Sequence, residues 1–245
     1  MATDRHLDRP DGPAAAEWAA AAVAAARGAA AVHPRGRAFH ATVHTRGGGR
    51  YGVALLDRPG DHRALVRFSR GAGLPPGWPD VLGVALRVRD GGGPGVDVDL
   101  LASTTAGRAP LARHLPAPRR RLATTYTTVA GYRTRRGRRY LAVLPDPAAG
   151  DPGTDLDTLA ALARRGRAAF LLAIAAPLGR WHVFGRLRVG EPVAAEREPA
   201  LAFDPIVRAA AGLRPEGPLW RLRAAAYRGS RHSRGGHLTA ADEGL

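Results

Sequence analysis

Four residue types are missing from this 245-residue chain: it has no cysteine, lysine, asparagine or glutamine, and its only methionine is Met1. Without cysteine there is no disulfide framework, no iron–sulfur cluster, no thiolate-ligated haem and no cysteine nucleophile. Without lysine there is no phosphate-binding P-loop and no Schiff base. Alanine, glycine, proline and arginine are abundant instead, which is a composition that GC-rich codon usage produces without any functional cause.

The charge is strongly one-sided, because 37 arginines face 21 acidic residues and give a formal net charge of +16. Such a balance ordinarily indicates a nucleic acid or an anionic membrane surface as partner. Here the arginines run through the whole chain, from Arg5 to Arg234. Their densest run, residues 133–139, is not interleaved with aromatic residues as a base-stacking surface would be. These features argue against nucleic acid as the partner. An arginine-rich nucleic-acid binder remains an alternative hypothesis, ranked below the two that are given at the end of this subsection.

Long apolar segments are also missing. The longest apolar run, residues 168–178, is too short to cross a membrane. An alanine-rich segment near the N-terminus is preceded by a flank with Asp4, Asp8 and Asp11 rather than by the net positive charge of a signal peptide. We therefore expect a soluble, cytoplasmic protein with no membrane partner.

Alternation of apolar and polar residues predicts β-strands between residues 37 and 189. In the first strand, Phe39, Ala41 and Val43 share one face. Asp97 and Asp99 share a face of a later strand, which is typical of a solvated edge. Eight antiparallel strands can close into a barrel just wide enough for side chains or one small ligand. The predicted strands are 37–45, 51–56, 62–69, 81–88, 96–103, 139–144, 168–176 and 181–189.

The whole chain, residues 1–245, is predicted to be a single α+β domain in which helices flank an eight-stranded antiparallel barrel. Residues 1–13 are expected to be flexible, residues 14–28 to form a helix, and residues 37–189 to form the barrel. The connection 110–137 is expected to contain helix, and Thr154 is the expected N-cap of a short helix ending at Arg164. Residues 197–245 are expected to be a loop followed by a C-terminal helical segment.

Arg223 and Tyr227 lie four residues apart in a stretch without glycine or proline, which predicts a helix that ends at Gly229. Residues with this spacing share one helix face, and a neighbouring cation favours the phenolate form of tyrosine. Tyrosinate is one of the few side chains that ligate haem iron. The alternative interpretation is an ordinary arginine–tyrosine pair on a helix surface.

His33 directly precedes the first predicted strand, in the segment Val32-His-Pro-Arg-Gly36. A histidine at the mouth of a barrel can act as a general acid or base near neutral pH, although loop histidines without a function are common. The sequence excludes other chemistries more firmly. It contains no G-x-S-x-G motif, and the pair His40 and His44 lacks the glutamate of a zinc-protease helix.

Five short motifs, taken in order, resemble those of the haem catalase superfamily, especially its small bacterial members. They correspond to the family segments V-H-x-x-G, V-R-F-S, D-L-V-G-N-N, F-D-P and R-x-x-x-Y, the last with an arginine beyond it. In this chain they are Val32-His-Pro-Arg-Gly36, Val66-Arg-Phe-Ser69, Asp99-Leu-Leu-Ala-Ser-Thr104, Phe203-Asp-Pro205 and Arg223-Ala-Ala-Ala-Tyr227, followed by Arg234.

The resemblance implies haem b as cofactor, with Tyr227 as the axial ligand of its iron and Arg223 hydrogen-bonded to the phenolate oxygen. It also implies cofactor binding by Val32, Arg67 and Arg234, the two arginines pairing with the haem propionates.

On the distal side, the resemblance implies a catalytic set made of His33, Ser69 and Thr104. His33 would transfer the proton, Ser69 would support the histidine, and Thr104 would stand where the family has an amide. A small-molecule peroxide is the implied substrate.

The chain also departs from the family pattern on the distal side. Thr104 replaces an asparagine, Ala30 replaces an arginine, and the D-P-R-G-F-A segment is reduced to residues 80–85. We therefore expect turnover of hydrogen peroxide or organic hydroperoxides of the peroxidase type rather than efficient disproportionation. A haem-free barrel that serves as a binding or structural module is the second hypothesis, and the sequence leaves the oligomeric state open.

Overall fold

The computed structural model describes residues 35–198 and 201–216. The helices in these ranges are α1 (Ala54–Asp57) and α2 (Leu156–Arg164), and a 3-10 turn spans Ala112–His114. The strands are β1 (Arg35–Arg46), β2 (Pro59–Arg70), β3 (Leu82–Gly93), β4 (Val96–Thr104), β5 (Tyr126–Thr127), β6 (Gly131–Thr134), β7 (Gly137–Pro145), β8 (Ala169–Ala175), β9 (His182–Pro192) and β10 (Arg214–Glu216).

Eight of these strands close into an antiparallel barrel. Around the barrel their order is β1-β2-β3-β4-β5-β7-β8-β9, and β9 returns to pair with β1. The short strands β6 and β10 extend the sheet outward from β7 and take no part in the closure. The predicted eight-stranded antiparallel barrel is therefore confirmed.

Apolar side chains fill the barrel interior. Phe39, Val66, Leu86 and Leu100 lie opposite one another on four successive strands, and each is almost completely buried. At the centre the Phe68 ring packs against three other aromatic rings, the nearest being Phe170 at 5.1 Å between ring centroids. Because the interior is packed with side chains, a ligand site of this barrel has to lie on its outer face or at an end.

Residues 51–56 were predicted to be a strand, and that prediction is wrong. The Asp57 carboxylate accepts hydrogen bonds from the backbone N–H groups of Tyr51 and Gly52 at 2.6 Å, and from that of Val53 at 3.1 Å. These bonds curl the segment back on itself, and Gly52 takes a φ of +84°, which suits glycine. The segment ends in α1, which buries Leu55 and Leu56 in the core.

The connection 110–137 differs from the prediction as well. It contains the 3-10 turn, β5 and β6, with no α-helix. Threonines cluster around Tyr126, and β-branched residues favour the extended backbone of β5. The helix predicted to end at Arg164 is present, but its N-cap is Asp155 rather than Thr154, since the Asp155 side chain accepts from the Thr158 backbone N–H at 2.7 Å. Among the described helices, none has the length and apolarity that crossing a membrane requires.

Candidate functional site

The outer face of β1 to β4 carries two adjacent rows of mostly small residues. Strand register places Gly36, Ser69, Gly83 and Ser103 opposite one another in one row. The next row contains Ala38, Arg67, Ala85 and Leu101. We call these eight residues the outer shelf. Most of them have small side chains. Ala38, Ser69 and Gly83 are buried, and the other five are half-exposed.

Arg67 is the cation of the outer shelf, and its position depends on Gly36. A Cβ atom at residue 36 would lie 2.5 Å from Arg67 Cζ and 2.6 and 2.8 Å from its two Nη atoms. The guanidinium therefore rests against the backbone of β1, and a larger residue at position 36 would push the end of this flexible side chain aside. Both residues belong to the motifs that carry the resemblance.

The side chain of Glu198 adds a carboxylate next to this cation. Its Oε1 atom accepts a hydrogen bond of 2.8 Å from the backbone N–H of Ala38, which lies opposite Arg67 in the register of β1 and β2. Partial burial lowers the pKa of Arg67, and the negative charge of Glu198 raises it. Arginine keeps its proton under either influence. Nothing in the sequence points to Glu198, because no local pattern relates residue 198 to residue 67.

Thr104, a predicted catalytic residue, faces away from the outer shelf. It shares the face of Ala102 and Tyr126, which are buried in the core, and it is itself fully buried. Its hydroxyl donates to the Ala117 carbonyl at 2.7 Å and accepts from the Leu82 N–H at 3.1 Å. The only proton of this hydroxyl is therefore engaged within the fold.

Ser103 and Ser69 are the hydroxyl side chains of the outer shelf. Strict alternation along a strand already places Ser103 and Thr104 on opposite faces. Ser69 is 6% exposed, and its hydroxyl points to the Gly83 carbonyl at a long 3.4 Å. Of the predicted catalytic residues, Ser69 therefore lies on the shelf together with Arg67, and Thr104 does not.

Two of the sequence motifs, D-L-L-A-S-T and F-D-P, meet at a buried ion pair. The Asp99 carboxylate accepts from Arg87 in a bidentate arrangement, with Nε–Oδ1 at 2.8 Å and Nη2–Oδ2 at 2.9 Å. Asp99 Oδ2 also accepts from the Asp204 backbone N–H at 2.7 Å. The ring of Phe203 lies 5.3 Å from the guanidinium carbon of Arg87. Asp99 is thus completely buried, and the prediction of a solvated edge at this residue is wrong.

The ion pair holds the segment 201–209 against the barrel. Arg87 also donates to the Ala202 carbonyl, and Asp99 donates its backbone N–H to the Arg208 carbonyl at 2.9 Å. Leu201 and Phe203 pack on Ala38, Leu65 and Val193. This segment therefore covers the outer face beside the shelf and reaches the shelf itself at Ala38.

The remaining predicted site residues, Val32, His33, Arg223, Tyr227 and Arg234, lie outside the described residues. Across residues 35–198 and 201–216, no three histidine or acidic side chains come together as a metal site. Among the described residues, the small side chains of the outer shelf and the cation of Arg67 are the features that a flat, carboxylate-bearing group would require.

Comparison with solved structures agrees with the architecture. Catalase A from Saccharomyces cerevisiae matches with a TM-score of 0.63 and 12% identity over 84% of this chain. A bacterial catalase matches with a TM-score of 0.60 and 13% identity over 83% of the chain, and a fungal catalase with 0.58 and 14% over 84%. The match covers 61%, 56% and 60% of those chains, respectively. No protein-family model and no curated protein sequence matches. The chain therefore has the catalase-like barrel fold.

Proposed function

We propose that this chain is a haem protein that reacts with hydrogen peroxide or organic hydroperoxides. The observation that carries the proposal is the position of Arg67 against Gly36 on the outer shelf of a catalase-like barrel. An arginine at the edge of a small-residue surface suits a propionate of a flat porphyrin, since guanidinium pairs well with carboxylates. The motif order of the sequence supports the same interpretation.

In this proposal the cofactor is haem b, and Tyr227 as a phenolate would hold its iron. Arg223, one helical turn earlier, would donate to the phenolate oxygen and keep it deprotonated. Arg67 and Arg234 would pair with the propionates, and Val32 would line the pocket. When bound, haem supplies a redox-active iron that can cleave the O–O bond of a peroxide.

The protein's own share of the chemistry is proton transfer. His33 would take a proton from the peroxide oxygen next to the iron and deliver it to the departing oxygen. Ser69 would orient the histidine. Since a positioned donor for the bound oxygen is usually worth orders of magnitude in rate, its loss should slow disproportionation. The Thr104 proton is engaged with Ala117, which supports peroxidase-type turnover of a small peroxide over catalase-type turnover.

Reconstitution with haem tests the proposal. The full-length protein should bind one haem per chain and give a high-spin ferric spectrum of the tyrosinate type. Tyr227→Phe should abolish or greatly weaken this binding. Tyr140→Phe is the matched control, because Tyr140 is partly buried on β7 and stacks on His114. Absence of a Soret band in the wild-type protein would refute the haem function.

The acid–base role of His33 is tested in the same reconstituted protein. His33→Ala should leave the Soret band and the haem stoichiometry nearly unchanged and slow the reaction with hydroperoxide by about 100-fold or more. His182→Ala, an exposed histidine on β9, is the control and should change neither quantity. If His33→Ala loses haem, the histidine rather than Tyr227 holds the iron. If reactivity is unchanged, the protein is a haem binder without this acid–base group.

A haem-free barrel acting as a binding or structural module is the second candidate. Two observations favour it: the Thr104 hydroxyl is used internally, and Glu198 already provides Arg67 with a neighbouring carboxylate. The reconstitution experiment separates the two candidates, since the module would bind no haem.

A further inference from the structure

Glu198 is fixed beside Arg67 by the backbone of the barrel. Its Oε1 atom accepts from the Ala38 N–H at 2.8 Å, and Ala38 lies opposite Arg67 across β1 and β2. The segment that carries it is tied down on both sides, since Val193 N–H donates to the Ala38 carbonyl at 2.9 Å and Leu201 packs on Ala38. The carboxylate is therefore part of the built surface and not a loose side chain near a cation.

A negative charge in this position changes the electrostatic attraction between Arg67 and an anionic ligand. Burial lowers the pKa of the Arg67 guanidinium, and the negative charge of Glu198 acts in the opposite direction. Because the site is partly buried, this electrostatic effect is larger than it would be in bulk water. A second carboxylate that approaches Arg67 from the shelf would meet the negative charge of Glu198 as well as the cation. Like charges at one site disfavour each other, so Glu198 weakens the attraction that Arg67 exerts on an anionic ligand.

We propose that Glu198 is an internal competitor that sets the affinity of the outer shelf for carboxylate-bearing porphyrins. The inference rests on the proposed function in one respect, namely that the ligand of the shelf is a porphyrin. The inference adds a residue that lies outside the five motifs. It also gives the sign of the effect: the native chain binds a propionate more weakly than Arg67 would bind it without Glu198.

Glutamine is the informative replacement at this position. The amide oxygen of Glu198→Gln can still accept from the Ala38 N–H, so the backbone contact is kept while the charge is removed. Glu196→Gln is the matched control. It removes the same charge from the same segment two residues earlier, at an exposed residue.

Metal-free protoporphyrin IX is the probe, because it carries two carboxylates and needs no iron ligand. Its affinity for the full-length protein is measured by fluorescence titration at low ionic strength. Glu198→Gln should bind it about three- to tenfold more tightly than the wild type, as expected for one like charge removed near a partly buried cation. The gain should shrink at about 0.5 M salt because the charges are then screened. Glu196→Gln should bind like the wild type.

The dimethyl ester of the same porphyrin separates charge from shape, since it has the same ring and no carboxylate. Its affinity should be equal in all three proteins. Equal protoporphyrin affinity in wild type and Glu198→Gln would overturn the inference while leaving the haem function standing. An equal gain for the ester would also overturn it, because the effect would then be steric. If neither porphyrin binds any variant, the inference and the proposed function fail together.

Discussion

Removal of the Asp99 carboxylate should be among the most damaging single changes in this barrel. Asp99 is completely buried, and its partner Arg87 exposes 3% of its side chain. The carboxylate accepts two hydrogen bonds from Arg87 and one from the Asp204 N–H. Asp99→Ala would remove the carboxylate that accepts both bonds of the bidentate pair from the buried guanidinium.

The magnitude follows from the cost of such an unpaired charge. Breaking a buried ion pair by removing one partner costs about 3–5 kcal/mol. In a chain of this length each kcal/mol lowers the melting temperature by about 2–4 °C, so the expected drop is roughly 10 °C. Urea unfolding followed by circular dichroism measures the free energy directly.

Asp97→Ala is the control, because Asp97 lies two residues away on the same strand face. It pairs with Arg89 at 2.8 Å and with Arg208 at 3.3 Å, but these arginine side chains are 26% and 32% exposed. A half-exposed pair contributes about 1 kcal/mol or less. The double variant Arg87→Met with Asp99→Leu should recover most of the loss of Asp99→Ala, since paired apolar side chains leave no buried charge. If Asp99→Ala costs no more than Asp97→Ala, the burial argument is wrong.

Two further predictions concern hydrogen bonds that the structure assigns to single side chains. Thr104→Val should lower the free energy of unfolding by about 2 kcal/mol in urea titrations, because the Ala117 carbonyl and the Leu82 N–H lose their partner, whereas Ser103→Ala should have little effect. A neutral Thr104→Val would mean that this hydroxyl is not structural. Asp155→Ala should cost about 1 kcal/mol at pH 7, because Asp155 caps α2. Its hydrogen bond from Thr158 holds the pKa of Asp155 below its ordinary value, so the stabilisation exists above the unfolded-state pKa and disappears as the pH falls through the folded-state pKa. The gap between wild type and Asp155→Ala should accordingly close in acid, and a gap that widens there would contradict the assignment.

The barrel could be predicted from the sequence because most of its strands are long and alternate regularly. Phe39 and Val43, predicted to share one face, are both buried in the core. Short elements were missed for the opposite reason: β5 has two residues and β10 has three, which is too few for a period to appear. The strand predicted at 51–56 failed because a single carboxylate, that of Asp57, captures three backbone N–H groups. Strand propensity alone does not predict that a nearby side chain will bind the backbone N–H groups that a strand would use.

For the site, the sequence indicated which residues belong to it better than it indicated which residues contact one another. Gly36 and Arg67 were recognised separately, and their contact became visible only through the register of β1 and β2. The pairing of Arg87 with Asp99 depends in the same way on the register of β3 and β4. Glu198 is 160 residues from the backbone group that it binds. A contact at that separation leaves no periodic trace in the sequence.

The motifs that resemble the catalases divide into two groups with different physical roles. Asp99, Phe203 and Thr104 lie where they hold the barrel and its covering segment together, and changing them should cost stability. Gly36 and Arg67 lie half-exposed on the outer face, so changing them should alter binding more than unfolding. A chain can therefore keep the first group for stability alone and share the fold at low identity without sharing an activity. The chemistry of this protein has to be tested at the second group, and at the charge that Glu198 places beside it.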